Sequence, residues 1–335
     1  MLRGNSRCGS RILRGAAIAE ALVLIACAAQ APTAGTPIVP DRASTVTAAP
    51  SAAPTVPIPI VSPTPMPKRV GLVVASVSMR SIPDKLANLR RFEEFMSEAA
   101  NRGAHLIVFP EDALQQNPGW GTQSDKPTPE EIDYVANTAE AIPGESTDRL
   151  SARARQLGLY VVFGMTERAS DGGLYNANVL LGPDGVLGSY RKNTLWDSSN
   201  GGNEHYFWDR GDEAGKVIET PIGKIGLMTC IEMAFNYGEK LAAKGADLIV
   251  TVSGWPANGG AYYDSFAAKN ALACNCWHIV SNQVGAVGYG SMYGHSVVIT
   301  PRGEVVVTTG SEQGMVVTEI AYQVDSSALP GVVTR

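Results

Sequence analysis

The chain has 335 residues, of which 44% are hydrophobic and 18% charged, with a formal net charge of −5. This is globular composition, enough for one large domain or two ordinary ones. The negative balance and the absence of a basic stripe argue against a nucleic-acid partner. The five cysteines (Cys8, Cys27, Cys230, Cys274, Cys276) fit neither a disulfide framework nor zinc spacing. The four histidines (His105, His205, His278, His295) show no metal-binding pattern, so neither a metal nor a cofactor is expected.

Residues 1–15 carry Arg3, Arg7, Arg11 and Arg14 and no acid, and Ala16 to Ala26 is apolar apart from Glu20. That run is short against the about 20 residues of a membrane span, and it fits the apolar core of a secretory signal. It ends Leu24-Ile25-Ala26-Cys27, which resembles a bacterial lipobox. Residues 1–27 are therefore read as a signal peptide with Cys27 as the lipidation site. The alternatives are an ordinary signal cut near Ala29 or an uncleaved anchor. Residues 28–67 are mostly Ala, Pro, Thr, Ser and Val, with Asp41 and Arg42 the only charges. Such a segment buries too little to offset its chain entropy and reads as a disordered tether of at most about 120 Å.

The folded domain is predicted over 68–325, with 326–335 as a tail. Val70 to Val77 reads as a strand. Leu86, Leu89, Phe92, Phe95, Met96 and Ala99 recur at helical spacing over Lys85 to Arg102, and Gly103 closes that helix. A strand from Leu106 leads to Glu111. Glu130 to Ala141 and Thr147 to Leu157 read as helices. Leu159 to Gly164, Ala177 to Leu181 and Val186 to Lys192 read as strands, the last two joined across Gly182-Pro183-Asp184-Gly185. The apolar run from Ile222 ends at Cys230, and Met233 to Gly245 reads as a helix. Asp247 to Ser253 and His278 to Val284 are predicted strands flanking a helix from Tyr263 to Cys274. Cys274 and Cys276 read as core packing. Ser296 to Thr300 and Val305 to Thr308 form a hairpin, and Met315 to Ile320 is a final strand. Crossover units mixed with hairpins predict helices covering mixed sheets rather than a Rossmann fold.

Glu111, Lys192 and Cys230 all fall at strand ends, where α/β proteins place their sites. Each has an ordinary reading alone: a buried thiol, a cap, a surface charge. An acid, an amine and a thiol converging at three strand ends point instead to covalent hydrolysis.

The motifs that carry these residues resemble the nitrilase, or carbon–nitrogen hydrolase, superfamily. They are Phe109-Pro110-Glu111, Tyr190-Arg191-Lys192 and Leu227-Met-Thr-Cys230-Ile-Glu232. Ala246-Asp247-Leu248-Ile249-Val250, Asn282-Gln283-Val284-Gly285, Gly294-His295-Ser296 and Pro301-Arg302-Gly303 follow in family order, so the match runs from Lys68 to Ile320. The resemblance implies an α/β fold, a four-layer αββα sandwich with two mixed β-sheets, assembled into homodimers or larger homo-oligomers. It implies Glu111 as general base, Lys192 as cationic partner and Cys230 as nucleophile. Glu204 resembles a second glutamate kept beside the lysine, although the insertion 197–203 lengthens the gap before it. The backbone N–H of Ile231, with Lys192, would hold an oxyanion. Trp255, past a strand end, is a candidate for the acyl pocket.

The expected activity is hydrolysis of non-peptide C–N bonds of a small amide, in a membrane-anchored lipoprotein outside the cytoplasm. Competing readings are a nitrilase, favoured by Glu232 two residues after the thiol but not by Ile231, an N-acyltransferase, and a catalytically silent binding lipoprotein.

Overall fold

A computed structural model describes residues 68–324. The signal segment with Cys27, the tether and the tail 326–335 lie outside the described residues. Fourteen strands and five α-helices order this part, and two six-stranded sheets organise it. The first sheet has the order β14-β1-β2-β3-β4-β5. Its strands are β1 (Lys68–Ser78), β2 (Leu106–Val108), β3 (Tyr160–Arg168), β4 (Leu174–Gly182), β5 (Gly185–Arg191) and β14 (Gly314–Val324). The second has the order β13-β12-β9-β8-β7-β6. Its strands are β6 (Lys216–Thr220), β7 (Gly223–Thr229), β8 (Leu248–Ser253), β9 (Trp277–Asn282), β12 (Val297–Ile299) and β13 (Val305–Thr308). A separate hairpin joins β10 (Val284–Val287) to β11 (Gly290–Tyr293).

Both sheets follow one pairing pattern. Three parallel strands, β1-β2-β3 and β7-β8-β9, form each centre. One antiparallel strand flanks each centre on one side (β14, β6) and two on the other (β4-β5, β12-β13).

The alternation of the strands decides the layers. In the first sheet Leu72, Val74, Leu106, Val108, Val162 and Leu180 join the core shared with Leu227, Val250 and Ile279 of the second. Their neighbours Ala75, Ile107, Phe109, Val161, Phe163 and Val179 face the other way. There they pack on α1 (Lys85–Asn101) and α3 (Glu145–Leu157) through Leu89, Phe92, Met96, Leu150 and Ala154. The Asp84 carboxylate caps α1 by accepting from Ala87 N–H at 2.9 Å. A Thr128/Glu131 capping box opens α2 (Pro129–Thr138). The second sheet is covered by α4 (Tyr237–Ala243) and α5 (Gly260–Cys274), whose Leu241, Tyr263, Ala267 and Ala271 belong to the shared core. Helix, sheet, sheet, helix is the four-layer arrangement expected.

Several elements differ from the sequence reading. The helix predicted from Met233 starts at Tyr237, because Cys230–Ala234 forms a 3-10 turn first. The strand before Glu111 ends at Val108, and Pro110 and Glu111 run on as irregular chain. β6, β10 and β11 have no counterpart in the reading, being short strands without clean alternation. Cys274 and Cys276 are buried as expected but joined in a disulfide. Asn275 between them adopts a left-handed φ of 53° at the α5 terminus. Among the described residues, no helix is long and apolar enough to cross a membrane.

Candidate active site

The segments at the C-terminal ends of β2 and β8 meet at Glu111. Its N–H donates to Ser253 O at 3.3 Å, and its carbonyl accepts from Gln283 Nε2 at 3.0 Å. Gly164 on β3 makes room: a methyl group there would lie 2.3 Å from the Asp112 nitrogen. The carboxylate is fully buried. Its Oε1 accepts from Lys192 Nζ and Asn176 Nδ2, both at 2.8 Å, and its Oε2 from Gly254 N–H at 2.8 Å.

Lys192 follows β5 and is equally buried, with Glu204 as a second partner at 2.7 Å. Burial works against its ammonium, but Glu111 and Glu204 outweigh it and hold the pKa above the ordinary lysine value. Glu204 opens the 3-10 turn Glu204–Tyr206. Its other partners are Trp120 Nε1 at 3.1 Å and Trp196 N–H at 2.8 Å. The insertion 197–203 therefore does not displace Glu204 from the lysine.

Cys230 begins the 3-10 turn after β7 with φ 45°, a left-handed value uncommon outside glycine. Its thiol is the free cysteine among the described residues, and it is buried. Burial first, then the charge of Glu111, push it well above the ordinary thiol pKa, while Lys192 and the Gly254 N–H pull the other way. This environment favours the neutral thiol, which would need a base in order to act as a nucleophile.

Glu232 braces the turn. Its Oε1 accepts from Tyr190 OH at 2.7 Å and from the N–H groups of Asn193 (2.8 Å) and Thr194 (3.0 Å). Its Oε2 accepts from Thr229 N–H at 2.7 Å. One carboxylate thus ties the segment after Lys192 to the residue before Cys230. Asn270 of α5 holds the far side, donating to Met233 O and accepting from Gly238 N–H, both at 2.8 Å.

Glu111, Lys192, Glu204 and Cys230 are therefore brought together. Ile231 is the second residue of the Cys230 turn. Trp255 lies next to Gly254, with its N–H on Asn282 Oδ1 and its indole N–H on Gly259 O, so its polar atoms are spent within the protein. His278 is a core residue: burial depresses its pKa to about 4, and its ring nitrogens meet Thr251 Oγ1 and Ala267 O. The described residues hold no group of acids, cysteines or histidines able to bind a metal.

The sequence reading missed Asn176, Gly254 and Trp120. Asn176 had a signal, since Asn176 and Asn178 recur with period two inside an apolar strand, and both are fully buried. Asn178 Nδ2 reaches Met228 O at 3.1 Å, tying β4 to the end of β7. A cluster of this kind can cycle a proton between a thiol, a leaving group and water, with an ammonium to hold negative charge.

Residues 73–326 match the carbon-nitrogen hydrolase family. Omega-amidase NIT2 of Xenopus tropicalis is 32% identical over 262 residues, covering 75% of this chain and 88% of that protein. A nitrilase of Pyrococcus abyssi is 33% identical over 242 residues, covering 71% of this chain and 84% of that protein. The fold is shared with a mutant of the amidase from Nesterenkonia sp. AN1 that shows covalent addition of the acetamide moiety of fluoroacetamide at its active-site cysteine. The TM-score is 0.64 at 19% identity, covering 78% of this chain and 93% of that one. The chain belongs to the carbon-nitrogen hydrolase family of the nitrilase superfamily and is a carbon–nitrogen hydrolase.

Proposed function

We propose that the protein is an amidase that works through an acyl-enzyme on Cys230. The observation that carries this reading is the buried Lys192 ammonium between Glu111 and Glu204, in one cluster with the buried Cys230 thiol. Cys230 Sγ attacks the amide carbon while Glu111 takes the thiol proton. Lys192 and the Ile231 N–H hold the oxyanion, a kind of donor worth about 3–4 kcal/mol of barrier each. The C–N bond breaks, and Glu111 returns the proton to the departing amine. Water then gives a proton to Glu111 and attacks the thioester. The C–S bond breaks and the proton goes back to sulfur. Trp255 walls the acyl side. The same groups would carry a nitrile through a thioimidate.

Brief exposure to acetamide, propionamide and the matching nitriles, followed by intact-mass measurement, tests this. An acyl adduct on Cys230 with ammonia released is expected. An imidoyl adduct from nitriles alone would make it a nitrilase. Equal ammonia release from the Cys230→Ala protein would end the thiol reading.

We further propose a lipid anchor at Cys27 and residence outside the cytoplasm. The Arg-rich start and Leu24-Ile-Ala-Cys27 support this, as does a disulfide in the folded domain, since disulfides persist in oxidising compartments. Cys27→Ala should move the protein from membrane to soluble fractions. Self-association through the α4–α5 layer, where Phe235 and Tyr262 are exposed, is the proposed assembly, with sedimentation as its measure.

A further inference from the structure

The insertion 197–203 is stitched to the loop that follows Glu111. Asn203 is fully buried. Its Oδ1 accepts from Gly121 N–H at 2.9 Å, and its Nδ2 donates to Gly119 O at 2.8 Å and to Asp125 O at 3.1 Å. The first two bonds grip the backbone on either side of Trp120, as a partner strand would. Gly202 and Thr122 form a β-bridge alongside, and Tyr289 N–H donates to Trp120 O at 2.8 Å.

Trp120 in turn touches two parts of the site. Its indole N–H donates to Glu204, the residue next to Asn203, at 3.1 Å. The outer rim of its ring abuts Gly254, where a methyl group would come within 2.0 Å of the Trp120 Cη2. The Gly254 N–H is the donor to Glu111 Oε2.

We infer that Asn203 is a positioning residue for the hydrolytic site, holding the Trp120 indole where it donates to Glu204 and backs the Gly254 peptide. This rests on the hydrolase reading above. The indole bond favours the ionised form of Glu204. Burial, with the charge of Glu111 adding and Lys192 opposing, pushes Glu204 up to about 7. The other charged or titratable groups acting in this cluster are Asp112 and Cys230. Protonating Glu204 removes one of the two anions of Lys192. The ammonium is left on Glu111 Oε1 alone, where it competes with the incoming thiol proton. The rate therefore falls as pH drops through neutrality, and loosening Trp120 moves that fall to higher pH.

The test uses the full-length protein with Asn203→Ala and with Trp120→Phe, which keeps an aromatic ring on the loop but removes the N–H together with the indole rim that reaches Gly254. Ammonia release from acetamide and propionamide gives kcat and KM. Iodoacetamide alkylation of Cys230, read by peptide mass across the neutral range, gives a second pH profile. Both variants should move both midpoints upward by about half a pH unit. Both should lower kcat about tenfold at neutral pH, with KM nearly unchanged. If the wild type hydrolyses these amides, Cys230→Ala does not, and both variants keep the wild-type midpoints and kcat, the inference is overturned. If Cys230→Ala hydrolyses as well as the wild type, the hydrolase reading fails instead, and the alkylation midpoints alone decide the role of Asn203. Should Asn203→Ala fail to fold, Trp120→Phe decides by the same midpoints.

Discussion

Glu111 and Glu232 are both buried carboxylates with several donors, yet they do different work. Glu111 touches Lys192 and the Gly254 N–H within the cluster proposed to react. Glu111→Gln keeps the shape and most of the hydrogen bonds but removes the proton acceptor. Ammonia release should fall by about 10²–10⁴-fold, and the melting temperature should fall too, because the buried Lys192 ammonium loses one of its two anions. Glu232 has no reacting partner, and its pKa is raised by burial in spite of the donors that oppose it. Glu232→Ala strands the N–H groups of Thr229, Asn193 and Thr194 and the hydroxyl of Tyr190. Denaturant unfolding should show a loss on the order of 3 kcal/mol or more, since each buried orphan costs about 1–3 kcal/mol.

The loops between strands, more than the strands, bring the site together. β3 can lie against the Glu111–Asp112 peptide because Gly164 has no side chain. A Cβ there would stand 2.6 Å from the Glu111 Cα and 2.3 Å from the Asp112 nitrogen, and backbone cannot swing aside. Gly164→Ala should therefore cost about 3 kcal/mol in urea unfolding and reduce activity together with stability. The same elements explain what the sequence made legible. β-branched runs and the Leu89-Phe92-Met96-Ala99 face announce strands and α1, because period and burial coincide there. Glu111, Lys192 and Cys230 stand next to those strands and were readable with them. Trp120 and Gly254 were not, since their roles arise from loops packing across more than 130 positions of chain, which no local pattern encodes. The 3-10 turn at Cys230 escaped for a related reason. The bonds of Glu232 to Tyr190, Asn193 and Thr194, and of Asn270 to Met233 O, hold it from the tertiary structure, against a local preference that reads as helix.

At the scale of the molecule, the buried charges set stability and activity against each other. Burial raises Asp112, like Glu204, to about 7, while free carboxyls titrate near about 4. The folded state thus binds these protons more tightly than the unfolded state. That contribution is complete below about pH 4 and is lost as pH rises through about 7. Glu140 and Asp197 oppose it at the acid end. Burial would raise them, but bonds from Lys85 and Ser146 and from Ser199 and Arg210 lower them, so their contribution is lost as pH falls below about 4. The melting temperature should peak in the mildly acidic range and be lower at pH 8, where hydrolysis is fully on. Calorimetry across that range checks the sign. The matching pairing pattern of the two sheets has a consequence of its own. The carboxylate after β2 and the peptide N–H after β8 come from equivalent strands of two similar halves, each with its own helical cover. The proposed chemistry needs both halves. Expressed as separate polypeptides, 68–212 and 213–324 split the cluster and part β1 from β14, so each should be inert, and mixing them should restore ammonia release as the two rejoin.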